Sequence, residues 1–172
     1  MPSTASCSMA TGRLSLADPV VFNWRQSLTG DVGTGTEDRL AAFVALLKSE
    51  GRHSVLGLAC GRGADGLRFV RAGIHFTGVD LSEENIHSAR ARGLEAAVAP
   101  AGALPFAAAA FPAAWAVDAL AGLPPEHWED VVRELSRVTA PGAPIAVVLP
   151  GPEPRSGNDR PGTGYTVLRS PG

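Results

Sequence analysis

The residues from Val55 to Gly63 read Val-Leu-Gly-Leu-Ala-Cys-Gly-Arg-Gly. A short apolar run enters a turn of small residues. Gly61 and Gly63 have no Cβ, so a ligand can come close to the backbone, and N–H groups at the start of a following helix favour an anionic group. The next apolar run ends in Gly78-Val79-Asp80. A carboxylate there can accept two hydrogen bonds from the hydroxyls of a ribose. The combination points to a nucleoside site, against the plainer readings of a tight turn at Gly61 and Gly63 and a helix-leading acid at Asp80. The other reactive side chains form no such pattern. Cys7 and Cys60 are too few for a disulfide framework, and no zinc-type spacing occurs. Cys60 reads as a small filler, because no histidine is near it in sequence. His53, His75, His87 and His127 are scattered and read as solvated or satisfied side chains, so no metal site is expected.

Two cofactor classes suit such a site. Gly61-Arg62-Gly63-Ala64-Asp65-Gly66 matches G-x-G-x-x-G, and Asp80 lies at the distance expected of a dinucleotide fold that binds NAD. The second class is S-adenosylmethionine (SAM). The motif alone does not separate them.

The elements that must position these residues alternate between strand and helix. A helix with Thr36 as N-cap and Glu37 and Asp38 in its first turn buries Leu40, Phe43, Val44 and Leu47 and stops at Gly51. Strands are expected at 54–59, 74–79, 95–99, 113–117 and 145–149. A helix over 67–72 ends at Gly73. Ser82 caps another, with Glu83 and Glu84 early and Arg90 and Arg92 late, matching the helix dipole. Pro124-Pro125 opens a helix whose apolar face is Trp128, Val131, Val132, Leu135 and Val138. This order predicts an α/β fold of Rossmann-like type: a doubly wound, mostly parallel sheet of about five strands with helices on both faces. Ligands of such sheets sit at the carboxyl ends of the strands. The expected organisation is an arm or lid over 1–35, containing Trp24 and Arg25, a cofactor domain over 36–150, and a Pro/Gly-rich tail over 151–172.

Composition narrows the partners. The 172 residues include 20 glycines and 14 prolines, 19% are charged, and the formal net charge is −2. That balance disfavours nucleic acid and favours a small-molecule partner. Ala96–Val117 contains no charged residue, but Pro100, Pro105 and Pro112 interrupt it, so it reads as core rather than membrane span. Met1–Leu16 shows no charged region followed by an apolar run, and the expectation is a cytoplasmic protein.

Four segments carry a family resemblance: Val55–Gly63; Gly78-Val79-Asp80-Leu81-Ser82; Ala103-Leu104-Pro105-Phe106; and Leu135-Ser136-Arg137-Val138-Thr139-Ala140-Pro141-Gly142. In this order they resemble class I SAM-dependent methyltransferases of the small-molecule type, over roughly residues 36–150. The resemblance implies SAM as cofactor and a small-molecule methyl acceptor. It implies that Ala59, Cys60, Gly61 and Gly63 line the methionine part, that Asp80 holds the ribose and Leu81 packs on the adenine, and that Gly102, Ala103 and Leu104 sit at the adenine edge. Asp118 would face the sulfonium and the acceptor as the catalytic candidate. The chain also departs from the family, which usually has an acid where Gly57 stands, glycine where Ala59 stands, and acids near Gly102 and Pro112. Two lost charged contacts would weaken SAM roughly 100-fold. Such changes keep open a non-catalytic binding or scaffold protein on the same fold. The family sheet usually continues with two more strands, whereas here only one short strand, at 166–168, is expected. The chain then looks truncated after strand five, whose open edge would offer a route to a homodimer.

Overall fold

The computed structural model describes residues 38–117, 119–120, 123–150 and 163–171. The expected arm at 1–35 lies outside them. Helix α1 is Arg39–Ser49. Its N-cap is Asp38, whose side chain accepts from the Ala41 N–H at 3.2 Å, so Asp38 caps the helix instead of lying inside its first turn. The expected apolar face is the buried one: Leu40, Phe43, Val44 and Leu47.

Strand β1, Ser54–Leu58, is followed by helix α2, Ala64–Arg71. The helix begins three residues earlier than the sequence pattern predicts. Gly63, at φ +92°, turns the chain into it, and Gly66 belongs to the helix rather than the turn. A Cβ on Gly66 would lie 2.7 Å from the Phe76 ring, so its absence lets helix and sheet approach closely. Strand β2 is His75–Asp80 and helix α3 is Glu83–Ala91, with Ser82 accepting from the Asn85 N–H as its cap. Strands β3, Glu95–Val98, and β4, Ala114–Ala116, follow. Pro124-Pro125 does not open an α-helix directly. A 3₁₀ turn at Pro125–His127 leads into α4, Trp128–Val138. Strand β5 is Pro144–Pro150 and β6 is Thr163–Arg169.

The six strands lie in the order β3-β2-β1-β4-β5-β6. The first five are parallel, with Gly57 opposite Gly78 on one side and Trp115 on the other. Helices cover both faces. One core gathers Leu56, Leu58 and Val79 with Val131, Leu135 and Val138 of α4. The other gathers Val55, Phe76 and Trp115 with Phe43 of α1, Phe69 of α2 and Ala89 of α3. No helix among the described residues is long and apolar enough to cross a membrane.

The short strand expected at 166–168 proves longer, and the expected free edge is corrected. Strand β6 pairs antiparallel with β5 along its whole length, from Pro144 opposite Arg169 to Pro150 opposite Thr163. The tail read from its proline and glycine content thus supplies a sixth strand, and the edge of β5 that was to carry a homodimer is occupied. Tyr165, Val167 and Leu168 explain the pairing: Leu168 joins one core, while Tyr165 and Val167 pack on the other. Arg169 also reaches back to the end of α1, where its guanidinium bonds Glu50 at 2.6 and 2.7 Å.

Candidate nucleoside-binding site

The strand order reverses between β1 and β4, and two cavities open at the carboxyl ends of the strands around that point. They meet at Ala59. Its φ of +51° is left-handed, a conformation that costs a residue with a Cβ roughly 1–2 kcal/mol. The turn therefore keeps a glycine-type shape without the glycine.

The first cavity, about 270 Å³, is bounded by Gly57, Ala59, Cys60, Gly61, Asp65 and Trp115, among others. Gly61, at φ +57°, has open space where a Cβ would stand, so its backbone faces the cavity. A Cβ on Gly57 would instead strike the end of the Phe76 ring. Phe76 also fills the space above Gly66 and crowds that above Gly78, so three glycines form the bed of one aromatic ring. Asp65 in the first turn of α2 accepts a hydrogen bond from Trp115 Nε1 at 3.1 Å. Burial, together with the neighbouring Asp80 charge, pushes the Cys60 thiol up to about 11. Cys60 therefore stays a neutral thiol near pH 7, in agreement with its reading as a filler.

The second cavity, about 190 Å³, is lined by Ala59, Val79, Asp80, Leu81, Ala99, Ala101, Ala119 and Leu123. Asp80 is its one charged residue among these. The Gly61 N–H donates to Oδ2 and the Ser82 N–H to Oδ1, both at 2.9 Å. Asn85 Nδ2 also donates to Oδ1, at 3.5 Å, so of a carboxylate's roughly four acceptor positions the open one is on Oδ2. Leu81 beside it is 67% exposed, an unusual placement for a large apolar side chain. A fixed carboxylate with acceptor capacity and an apolar slot next to it suit a ribose and a purine base.

Other predicted residues lie elsewhere. Gly63 lines neither cavity. It is buried, and a Cβ there would strike Leu94, so its glycine serves packing and the helix turn. Gly102, Ala103 and Leu104 do not line the slot either, whose wall on this side is Ala99 and Ala101. Leu104 is buried and its N–H donates to Glu134 at 2.6 Å, while Arg137 donates to the carbonyls of Leu104 and Phe106. This segment is clipped to α4 by the Glu134–Arg137 pair, whose Nε–Oε1 distance is 2.7 Å. The Arg137 hydrogen bond holds the Glu134 carboxyl below its ordinary value against the opposing effect of burial, with a lesser contribution from the Leu104 N–H. Asp118 lies outside the described residues.

Sequence reasoning missed Asp65, Phe76, Trp115 and the apolar wall of the slot. Asp65 had a signal, as an acid inside the glycine motif. Trp115 had another, as the sole tryptophan of the charge-free segment.

The family model that matches is described as a methyltransferase domain and takes in residues 55–142, just over half of the chain. The chain belongs to this family. The chain is 31% identical over 123 residues to the 27-O-demethylrifamycin SV methyltransferase of Amycolatopsis mediterranei (strain S699), covering 66% of this chain and 43% of that protein. A SAM-dependent methyltransferase from Methanosarcina mazei superposes with a TM-score of 0.56 at 26% identity, over 59% of this chain and 54% of that one. The 4+2 cyclase SpnF superposes with a TM-score of 0.56 at 26% identity, over 78% and 53%. The chain thus spans about half the length, or less, of these relatives, and its class I SAM-dependent methyltransferase fold is shared with them.

Proposed function

We propose that this chain binds SAM and transfers its methyl group to a small-molecule acceptor. The observation that carries the reading is the second cavity, where Asp80 is held by two backbone N–H groups at the mouth of an apolar slot. SAM supplies, when bound, a methyl already activated on a sulfonium. The chain's own task is then binding and alignment, which can lower a barrier by about 7–11 kcal/mol. Asp80 accepts from a ribose hydroxyl. Leu81, Ala99, Ala101, Ala119 and Leu123 cover the base with apolar surface. The turn at Ala59, Cys60 and Gly61 brings backbone to the amino-acid end. A proton acceptor is needed only where the methyl acceptor must lose a proton. Asp118, two residues after β4, is the candidate by its place in the sequence.

The relative named as a methyltransferase of 27-O-demethylrifamycin SV supports a small-molecule acceptor. Isothermal titration of the chain with SAM, S-adenosylhomocysteine and NAD(H) tests the reading. Saturable heat with the two adenosyl sulfur compounds alone is the expected result. No heat from either at millimolar ligand overturns it.

A second reading has its own observation. Gly57 cannot carry a side chain beneath Phe76, and Ala59 strains the turn, which is what a site released from methyl transfer would tolerate. SpnF, described as a cyclase, has a related fold and another named activity. Binding of S-adenosylhomocysteine with no methyl transfer to any of a panel of small nucleophiles would favour this reading.

A further inference from the structure

We infer that Asp65 is the anchor for the ammonium group of the ligand's amino-acid end, an inference that rests on the nucleoside reading above. The second cavity takes the nucleoside, so the remaining part of such a ligand must pass Ala59 into the first. That part ends in a zwitterion of one ammonium and one carboxylate. The first cavity lies at the N-terminus of α2, where the potential is positive, and Arg62 on its rim is paired with Glu84 at 3.4 Å. A carboxylate is welcome there and an ammonium is not, unless an acid compensates.

Strand β1 cannot supply that acid. At Gly57 the Phe76 ring stands where a Cβ would begin. Among the described residues lining this cavity, Asp65 is the one acid. It is half-buried and forms no ion pair among the described residues. An acid in the first turn of a helix is favourable for the dipole alone. The dipole does not account for its second constraint. The buried Trp115 indole donates to Asp65 Oδ2, which fixes the carboxylate at the cavity wall and leaves Oδ1 without a donor among the described residues. A carboxylate already oriented loses little freedom on meeting a cation, and a charge-assisted bond at such a place is the strong kind.

The test compares two ligands that differ in the amino-acid end. S-adenosylhomocysteine has it, and 5′-methylthioadenosine shares the adenosyl thioether without it. Calorimetric titration of the whole chain with both, before and after Asp65→Asn, gives the answer. Asparagine keeps an oxygen for Trp115 Nε1 and removes the charge. We expect Asp65→Asn to weaken S-adenosylhomocysteine about 10- to 100-fold and to change 5′-methylthioadenosine less than about twofold. Trp115→Phe, which frees the carboxylate but keeps it, should give a smaller loss with the same selectivity and provides a second route if Asp65→Asn does not fold. Unchanged affinity for S-adenosylhomocysteine, or an equal loss for both ligands, overturns the anchor while the nucleoside reading stands. Failure of both ligands to bind the unaltered chain overturns the nucleoside reading and the anchor with it.

Discussion

On the Phe76 side of Ala59 the site is shaped by packing, and on the Asp80 side by hydrogen bonds. The first cavity owes its walls to an aromatic ring set on Gly57, Gly66 and Gly78, with Phe69 stacked on it and Trp115 edge-on to Phe69. The second owes its polar end to two N–H bonds that aim one carboxylate. The difference teaches where each half is vulnerable. A packed wall resists added atoms, because interiors are dense and overpacking forces strain. A hydrogen-bonded wall resists lost acceptors, because each N–H then needs another partner.

The largest effect should come from adding atoms on the packed side. Gly57→Asp drives a Cβ and a charge into the Phe76 ring and should cost about 3 kcal/mol or more, lowering Tm by about 10 °C in a thermal melt. Combining it with Phe76→Ala should cost less than the sum of the two single changes. Strict additivity would show that the ring and the glycine do not meet.

Next comes Asp80→Ala on the hydrogen-bonded side. It leaves the Gly61 and Ser82 N–H groups without their acceptor and should cost about 1.5–3 kcal/mol in urea unfolding. Binding of S-adenosylhomocysteine should fall about 100-fold. Full affinity after this change would remove the ribose role from Asp80.

The segment clipped to α4 adds a pH-dependent contrast. Glu134 titrates below its ordinary value in the folded chain because Arg137 and the Leu104 N–H favour its charged form. Its contribution is therefore fully present above the unfolded value near 4.5 and is lost as pH falls through the lower folded value. Glu134→Gln should cost about 1 kcal/mol at neutral pH, the gap between a charged and a neutral hydrogen bond. The stability difference between the two proteins should shrink between pH 6 and pH 3, and a constant difference would contradict the linkage.

The smallest effect lies at the junction. Ala59→Gly relieves the left-handed backbone but adds chain freedom to the unfolded state, so it should stabilise by less than about 1 kcal/mol. A destabilisation would mean that the methyl group packs usefully between the two cavities.

The hydrogen-bonded side was the more legible of the two in sequence. Asp80 at the end of an apolar run and the helix cap at Ser82 are local signals, and the elements stand where periodicity puts them. The packed side depends on contacts between residues far apart in sequence. Nothing local says that Gly57 is glycine because of Phe76, or that Asp65 meets Trp115 fifty positions later. Gly102, Ala103 and Leu104 fall outside the slot for a related reason. The segment after β3 has no periodicity, and its path is set by Glu134 and Arg137 on a distant helix. Strand β6 was underrated because proline and glycine nearby masked a run that includes Tyr165, Val167 and Leu168.

That last strand has a kinetic meaning. Its register brings Arg169 to Glu50, a separation of 119 residues, and until it arrives β5 presents a row of unpaired backbone groups. The strand pairing itself is local, from Pro150 opposite Thr163 outward, so β6 can close on β5 as soon as both are present. During synthesis the parallel part of the sheet can assemble first, and β6 then sets Tyr165 against Trp115, a wall of the first cavity. Protection of β5 from pairing with another chain has to wait for residues 163–169. The interval between those two moments is when this fold is most exposed to aggregation.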